Sequence, residues 1–442
     1  MVSDFPLIVG FQPLSDNNRN RVKTIKRGKG IYLYDASGKE YIEATSSFWV
    51  AALGFQNEEL ISSIERQYRK LPFLVSGMHR TSDTSIALSE KLATISAIKN
   101  PAILFAATGS EANDFLIKVM KYGAFDEGQA VRMKFISRKQ SYHGGTLASA
   151  SLTGGHHSDF GLPLPGFFHV SQPDFHGGRL PGETEEEFCK RLILEVENLI
   201  VKEGKESIAA FFAEPVSFSA GLHVPPKNYF KCLKKLLDQH EIDLVADEVV
   251  TGFGRTGRMW GSESVDFSSD HATMGKGITS GYFPLSAIAI GESLQERMKE
   301  KSRRINSFAH AATYAAHPVG AAAALKTLEI IEREKLLEHA ATIGKLLEKE
   351  LRPLGEHPLI GDVRFHGLAA AVDFRIRDEN DELSTEDPIG LCNRINSELI
   401  EDGLITRPVN GSLLIAPPLI TTSDQILEIS EKIKSRLGKL TV

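Results

Sequence analysis

Cysteine is scarce in this chain of 442 residues: Cys189, Cys232 and Cys392 are the three present, odd in number, far apart and without CxxC or other metal-ligand spacing. That excludes a disulfide scaffold and a cysteine-based metal centre, so no metal is expected, and it points to reduced thiols in a cytoplasmic protein. Long hydrophobic runs are missing too. No uncharged apolar stretch reaches the ~18–20 residues of a membrane span, and Met1–Gly10 has no basic segment ahead of a long apolar one, so neither insertion nor export is expected. The most apolar stretch, Ala311–Leu325, is rich in alanine and broken by His317, Pro318 and Gly320, which fits a buried helix. A basic field is also lacking. The net charge is −6 and the pI near 6.2, with lysines and arginines scattered among acids, so nucleic acid is not an expected partner.

Apolar residues make up 42% and charged residues 24% of the chain, the balance of a folded globular protein. Its length exceeds the ~250–300 residues that one core fills, so two domains are expected. Ile31–Tyr34 and Tyr41–Ala44 flank a polar stretch and read as a hairpin. Asn57–Leu71 and Thr84–Ile98 carry apolar residues at three- and four-residue intervals, the mark of helices with one buried face. Short apolar runs follow at Ala102–Ala106, Val131–Ile136, Ala209–Ala213, Asp243–Ala246 and Ser286–Ile290, separated by helical segments or loops, which predicts an α/β fold with a mostly parallel sheet. Thr184 and Glu187 predict a capping box opening one crossover helix. After a helix at roughly 318–352, a smaller strand-and-helix unit is expected, with strands Gly361–Phe374 and Ser412–Ile415 and helices Pro388–Asp402 and Ser423–Leu437.

Three segments can carry chemistry. Thr108-Gly-Ser-Glu-Ala-Asn113 follows a strand and opens a helix, so its free N–H groups can receive a phosphate while Gly109 and Ser110 permit close approach; alone, it is also a common capped helix start. Asp247 ends an apolar strand, where ligands bind in α/β sheets, and a buried carboxylate there needs a cationic partner; Glu248 beside it reads as a solvated acid. The nearby Gly252-Phe-Gly-Arg-Thr-Gly257 matches GxGxxG literally, yet no helical period follows it, so a dinucleotide site is not expected. Lys276 stands between glycines ahead of an apolar strand, where desolvation favours a neutral, nucleophilic amine. Together these supply an imine link, a phosphate anchor and a counter-charge for a pyridinium nitrogen, the needs of a pyridoxal 5′-phosphate (PLP) enzyme.

With Tyr142-His-Gly144, Glu214-Pro-Val216, Asp247–Gly257, Lys276–Leu285, Thr313 and His317-Pro-Val-Gly320 in this order, the chain resembles the class III, or omega, aminotransferases of PLP fold type I. The resemblance implies a large PLP-binding domain (55–325) with a seven-stranded sheet, and a smaller α+β domain from residues 1–54 and 326–442. It implies that Lys276 binds PLP as a Schiff base, that Asp247 pairs with the ring nitrogen and that Gly109 and Ser110 hold the phosphate. Tyr142 would stack on the ring with His143 beside it, Val249 would pack the opposite face, and Glu214 would line the site. Thr313 would reach the phosphate of a neighbouring subunit, making a homodimer, or a higher homo-oligomer, the complete enzyme.

Ser46-Ser-Phe-Trp-Val-Ala-Ala-Leu-Gly-Phe55, Asp159–Phe167 and Thr406-Arg-Pro408 resemble the amine:pyruvate and β-alanine:pyruvate branch. That implies Arg407 as the group that binds a keto-acid carboxylate, Trp49 as an apolar wall, and ping-pong transfer from an omega-amine to pyruvate. Ser217-Phe-Ser-Ala-Gly221 departs from the glycine-rich stretch of many relatives and places Phe218 near the pocket. A PLP-dependent aminomutase, another fold type I enzyme and a PLP-binding regulator share Lys276 and Asp247 and stay open at this point.

Overall fold

The run Ile208-Ala-Ala-Phe-Phe-Ala213 sets the architecture. A strand alternates its side chains between two faces, so it can be apolar throughout only if both faces are covered, and this one is buried along its whole length. Phe211 and Ala213 belong to one core, Ala210 and Phe212 to another on the opposite face. The computed structural model describes residues 7–11, 22–126, 129–130, 132–155, 157–378, 380–383 and 387–439.

Strands β1 (Ile25–Lys29), β2 (Tyr32–Asp35) and β3 (Glu40–Glu43) form the N-terminal hairpins, followed by helices α1 (Glu58–Lys70) and α2 (Asp83–Ile95). Then come β4 (Ala102–Ala106), α3 (Gly109–Ala124), β5 (Lys134–Arg138), β6 (Phe167–Val170), α4 (Glu185–Glu203), β7 (Ile208–Ala213), α5 (Tyr229–Gln239), β8 (Asp243–Asp247), β9 (His271–Met274), β10 (Ser286–Ile290) and α6 (Glu292–Ile305). The remainder is α7 (Pro318–Arg333), α8 (Leu336–Leu351), β11 (Asp362–Phe365), β12 (Ala370–Asp373), α9 (Pro388–Glu401), β13 (Leu404–Ile405), β14 (Arg407–Val409), β15 (Ser412–Ile415) and α10 (Ser423–Leu437).

The central sheet has seven strands in the order β4-β10-β9-β8-β7-β5-β6. It is mostly parallel; β10 alone runs antiparallel to both its neighbours. The C-terminal ends of β4, β5, β7, β8 and β9 therefore open on one edge, and the loops leaving them share one crevice. A second sheet, β11-β12-β15-β14, is covered by α9, and a third brings β13 from late in the chain parallel to β3 from early in it, with Leu404 opposite Ile42.

Several boundaries differ from the sequence reading. Val131 and Met1–Pro6 lie outside the described residues, and the strand expected from Val131 runs over Lys134–Arg138. The helix expected over 318–352 is two, because Lys335 takes a left-handed conformation (φ 50°) that ends the first helical path and starts another. Gly361–Phe374 is not one strand but the hairpin β11–β12, turning at Gly367 (φ 57°), where an added Cβ would lie 2.4 Å from the Thr256 backbone. Strands β6 and β9 had no separate signal: each is short, and His169 in one and His271 and Thr273 in the other interrupt the apolar run. The capping box at Thr184 and Glu187 is present.

Candidate active site

Lys276, Asp247, Gly109, Ser110, Tyr142, His143, Glu214 and Val249 all line one cavity of about 390 Å³. Each follows or ends a strand at the open edge of the sheet, which is why residues up to 167 positions apart (109 to 276) meet. Gly109 begins α3, where the first N–H groups have no partner within the helix. A Cβ on Gly109 would stand 2.9 Å from Val249 Cγ1, so the glycine is required by the valine wall as well as by any ligand. Ser110 Oγ accepts from Gly145 N at 3.1 Å, and a side chain on Gly144 (φ 142°) would collide with that hydroxyl.

Asp247 is buried, and three donors hold it. His143 Nδ1 lies 2.7 Å and Asn113 Nδ2 2.9 Å from its Oδ2, and Val249 N donates to Oδ1 at 3.1 Å. Asn113 is fixed in turn: its amide also donates to the His143 carbonyl at 2.7 Å, and its oxygen accepts from Thr273 Oγ1 at 3.0 Å. A desolvated carboxylate is tolerated only when so partnered. His143 therefore directs one ring nitrogen to Asp247, while its Nε2 is buried without a partner among the described residues.

Lys276 leaves β9 through Gly275 with φ 43°. Burial lowers its pKa to about 8; Asp247 and Glu214 pull it upward and Arg407 pushes it down. Glu214 is itself buried, and burial raises its pKa against the lowering effects of His143 and Arg138. The Arg138 guanidinium reaches the Glu214 carbonyl at 2.6 Å and Ser217 Oγ at 3.0 Å.

Trp49 and Arg407 stand beside this cavity rather than among its lining residues. Lys276 Nζ lies 5.4 Å from the Trp49 ring centroid. The Arg407 guanidinium carbon sits 3.9 Å over Phe48 and 4.8 Å over Trp49, with Nη1 buried and unpartnered among the described residues. Burial brings the Arg407 pKa down to about 10, with Tyr142 raising it. Phe218 is wholly buried and meets Trp49 edge-on at 5.8 Å, so it backs the tryptophan instead of facing the cavity. Four successive residues, Ser46, Ser47, Phe48 and Trp49, have φ of 51°, 47°, 62° and 65°, and this left-handed conformation costs an L-residue about 1–2 kcal/mol.

Thr313 is exposed and does not line the cavity of its own chain. Glu248 corrects the sequence reading of a solvated acid: it is 1% exposed, with its carboxylate accepting from Gly261 N and Ser262 N at 2.8 Å each and from the Thr251 hydroxyl at 2.5 Å. Gly252–Gly257 opens no helix; Gly254 and Gly257 let the loop pack against Leu419 and Ala341. Sequence reading passed over the roles of Asn113, Arg138, Glu43 and Arg255. Asn113 lay inside a motif already singled out, one helical turn after Gly109, which was the available signal.

An amine, a held carboxylate and a helix N-terminus around one cavity suit PLP, whose aldehyde, ring nitrogen and phosphate need those partners. The class-III aminotransferase family model matches residues 14–437. A probable gamma-aminobutyrate transaminase 3, mitochondrial, of Oryza sativa subsp. indica is 38% identical over 415 residues, covering 92% of this chain and 80% of that one. A vanillin aminotransferase of Capsicum frutescens is 35% identical over 409 residues, covering 92% and 89%. Among solved structures, the omega transaminase from Pseudomonas jessenii in complex with PMP matches with a TM-score of 0.93 at 39% identity, over 97% of this chain and 96% of that one. The PMP-bound aminotransferase from Vibrio fluvialis matches with a TM-score of 0.94 at 35% identity, over 98% and 96%.

The Lys276 pKa gives a test of the site without substrate. A lysine reacts with aldehydes through its neutral form, so a lowered pKa moves reactivity to lower pH. In the cofactor-free protein, reductive labelling of Lys276 by a small aldehyde, followed by peptide mass spectrometry, should rise through pH about 8, whereas surface lysines rise through about 10.4. Coincident profiles would contradict the burial described.

Proposed function

This chain belongs to the class-III aminotransferases, which are PLP-dependent, and from that premise we propose that it transfers an amino group from an omega-amine or omega-amino acid to pyruvate in ping-pong order. The observation that carries the acceptor half is Arg407, whose buried Nη1 lacks a partner among the described residues and stands beside the cavity that holds Lys276. An unpaired, partly desolvated guanidinium fits a carboxylate in its planar fork.

The residues divide the work. When bound, PLP supplies an electron sink for the pair released at the donor carbon. Gly109 and Ser110 would hold its phosphate at the start of α3, Lys276 Nζ its aldehyde carbon, and Asp247 its ring nitrogen, between Tyr142 and Val249. Lys276 Nζ, once freed by the incoming amine, would take a proton from the donor carbon and deliver it to the former aldehyde carbon of the cofactor, a task suited to an amine whose pKa is lowered to about 8. Asp247 needs no rearrangement during this, because three donors already fix its oxygens. Trp49 excludes water from the substrate side. One cavity serves donor and keto acid in turn, the first product leaving before the second substrate enters.

Two further readings accompany this one. Exposed Thr313 sits beside Tyr314, which meets Phe73 at 5.9 Å, in a region where Val75 and Met78 are also exposed. That supports a homodimer in which Thr313 of one subunit reaches the phosphate of the other. The β3–β13 pairing supports the division into residues 55–325 and residues 1–54 with 326–442.

Absorption spectroscopy tests the reaction. Adding β-alanine or a phenylalkylamine to the PLP-loaded protein should abolish the cofactor's long-wavelength band, pyruvate should restore it, and Lys276→Ala should show neither event. A band that survives a broad donor panel would favour an aminomutase or regulator. Arg407→Ala should raise the pyruvate KM by about tenfold or more and leave an apolar amine's half-reaction within about twofold; an unchanged KM removes Arg407 from acceptor binding. Thr313→Ala should weaken PLP retention in a protein that sedimentation shows to be a dimer, and a monomer with full PLP affinity would refute the shared site.

A further inference from the structure

Glu43 and Arg255 are both buried, lie outside the cavity lining, and have no part in the chemistry above. Both act on the same short stretch of chain. The Glu43 carboxylate accepts from Thr45 N at 3.2 Å, from Thr45 Oγ1 at 2.5 Å and from Ser47 N. Arg255 Nη2 donates to Ser46 Oγ at 2.9 Å, and that hydroxyl donates onward to the Ala416 carbonyl at 2.8 Å. Its other nitrogen, Nη1, spans the carbonyls of Leu368 at 3.1 Å and Pro417 at 2.7 Å.

What these contacts hold is the left-handed turn Ser46–Trp49. Non-glycine residues do not keep φ near 50–65° over four positions unless the surroundings impose it. The turn delivers Phe48 and Trp49, the two rings nearest the Arg407 guanidinium, and sends Val50 to the cavity wall; Phe11 lies farther from the guanidinium, at 5.9 Å. Arg407 comes from the other side of the same frame: it opens β14 and pairs with Leu414 of β15, and β15 runs directly into Ala416 and Pro417. Arg255 therefore ties the platform to the end of β15, the strand paired with the one that carries the guanidinium.

We propose that Glu43 and Arg255 are positioning residues that keep the turn Ser46–Trp49 in register with Arg407 and so set the preference between carboxylate-bearing and apolar substrates. The proposal rests on reading Arg407 as the carboxylate-binding group. Were the turn to relax toward right-handed backbone, the Phe48 ring would leave the guanidinium, whose direction would no longer be fixed. Keto-acid binding would suffer first. The amine half-reaction would suffer less, since Asp247 is held from α3 and the loop after β5 by a separate set of hydrogen bonds and Lys276 leaves β9 outside the turn.

The test uses the full-length, PLP-loaded enzyme and compares Glu43→Gln, Arg255→Lys and Arg407→Ala with the unmodified protein. Lysine keeps the charge at 255 but cannot span Ser46 and Pro417 together. In both positioning variants the pyruvate KM should rise by about tenfold, while the single-turnover rate with an apolar phenylalkylamine stays within about twofold at equal PLP content. Ser46→Ala, which removes only the hydroxyl between Arg255 and Ala416, carries the same expectation should a charge variant fail to fold. A pyruvate KM unchanged in variants that bind PLP would overturn the proposal, as would KM and amine half-reaction worsening in parallel with thermal stability. If Arg407→Ala raises the KM and Glu43→Gln does not, this proposal alone falls; if neither raises it, the reading of Arg407 falls as well.

Discussion

A carboxylate has to be kept buried beside a reactive amine, and the arrangement of the central sheet follows from that requirement. Asp247 is 3% exposed, and leaving it without partners would cost several kcal/mol. No single segment can meet the need. One donor comes from the backbone after β8, one from the loop after β5, and one from α3, which is oriented by Thr273 on β9. Those elements reach the carboxylate together only because their strands run parallel and end on the same edge. The order of the central strands thus has a chemical consequence: it brings a histidine, an asparagine and a main-chain N–H around two oxygens.

Much of this was legible in the sequence because its signals are local. Apolar runs of four or five residues marked β4, β7, β8 and β10, and a glycine at a strand-to-helix junction marked the start of α3. Lys276 between glycines and Asp247 at a strand end stood out because a charged residue next to an apolar strand conflicts with burial unless something compensates it. The residues chosen on those grounds line one cavity. The short strands β6 and β9 escaped because His169 in one and His271 and Thr273 in the other interrupt any apolar run, and the break at Lys335 escaped because a left-handed lysine has no compositional mark.

Some of the hidden features are hydrogen bonds between residues far apart in sequence. Asn113 reaches Asp247 across 134 positions, and Arg255 reaches Ser46 across 209. Nothing near Glu248 announces that Gly261 and Ser262 will turn two N–H groups toward it, so the general exposure of acidic residues was the wrong guide there. A buried charge such as Arg255 escapes single-sequence reading where what makes it tolerable, here Ser46, Leu368 and Pro417, lies in another part of the chain.

The two ends of the cavity are held in different ways, and the difference matters for an enzyme that takes an apolar amine and a keto acid at one place. Around Asp247 the contacts are short hydrogen bonds between buried groups, which resist displacement. Around Arg407 no side-chain carboxylate is paired with the guanidinium among the described residues; aromatic faces hold it at 3.9 Å and 4.8 Å. A salt bridge there would compete with every incoming carboxylate, and breaking it would leave a buried charge uncompensated. Stacking on aromatic rings is worth about 0.5–2 kcal/mol, enough to park the cation while an apolar donor is bound and too little to oppose a bidentate carboxylate. On the proposed function, then, the rigid polar end fixes where the proton moves, and the aromatic end lets a single guanidinium tolerate both kinds of substrate.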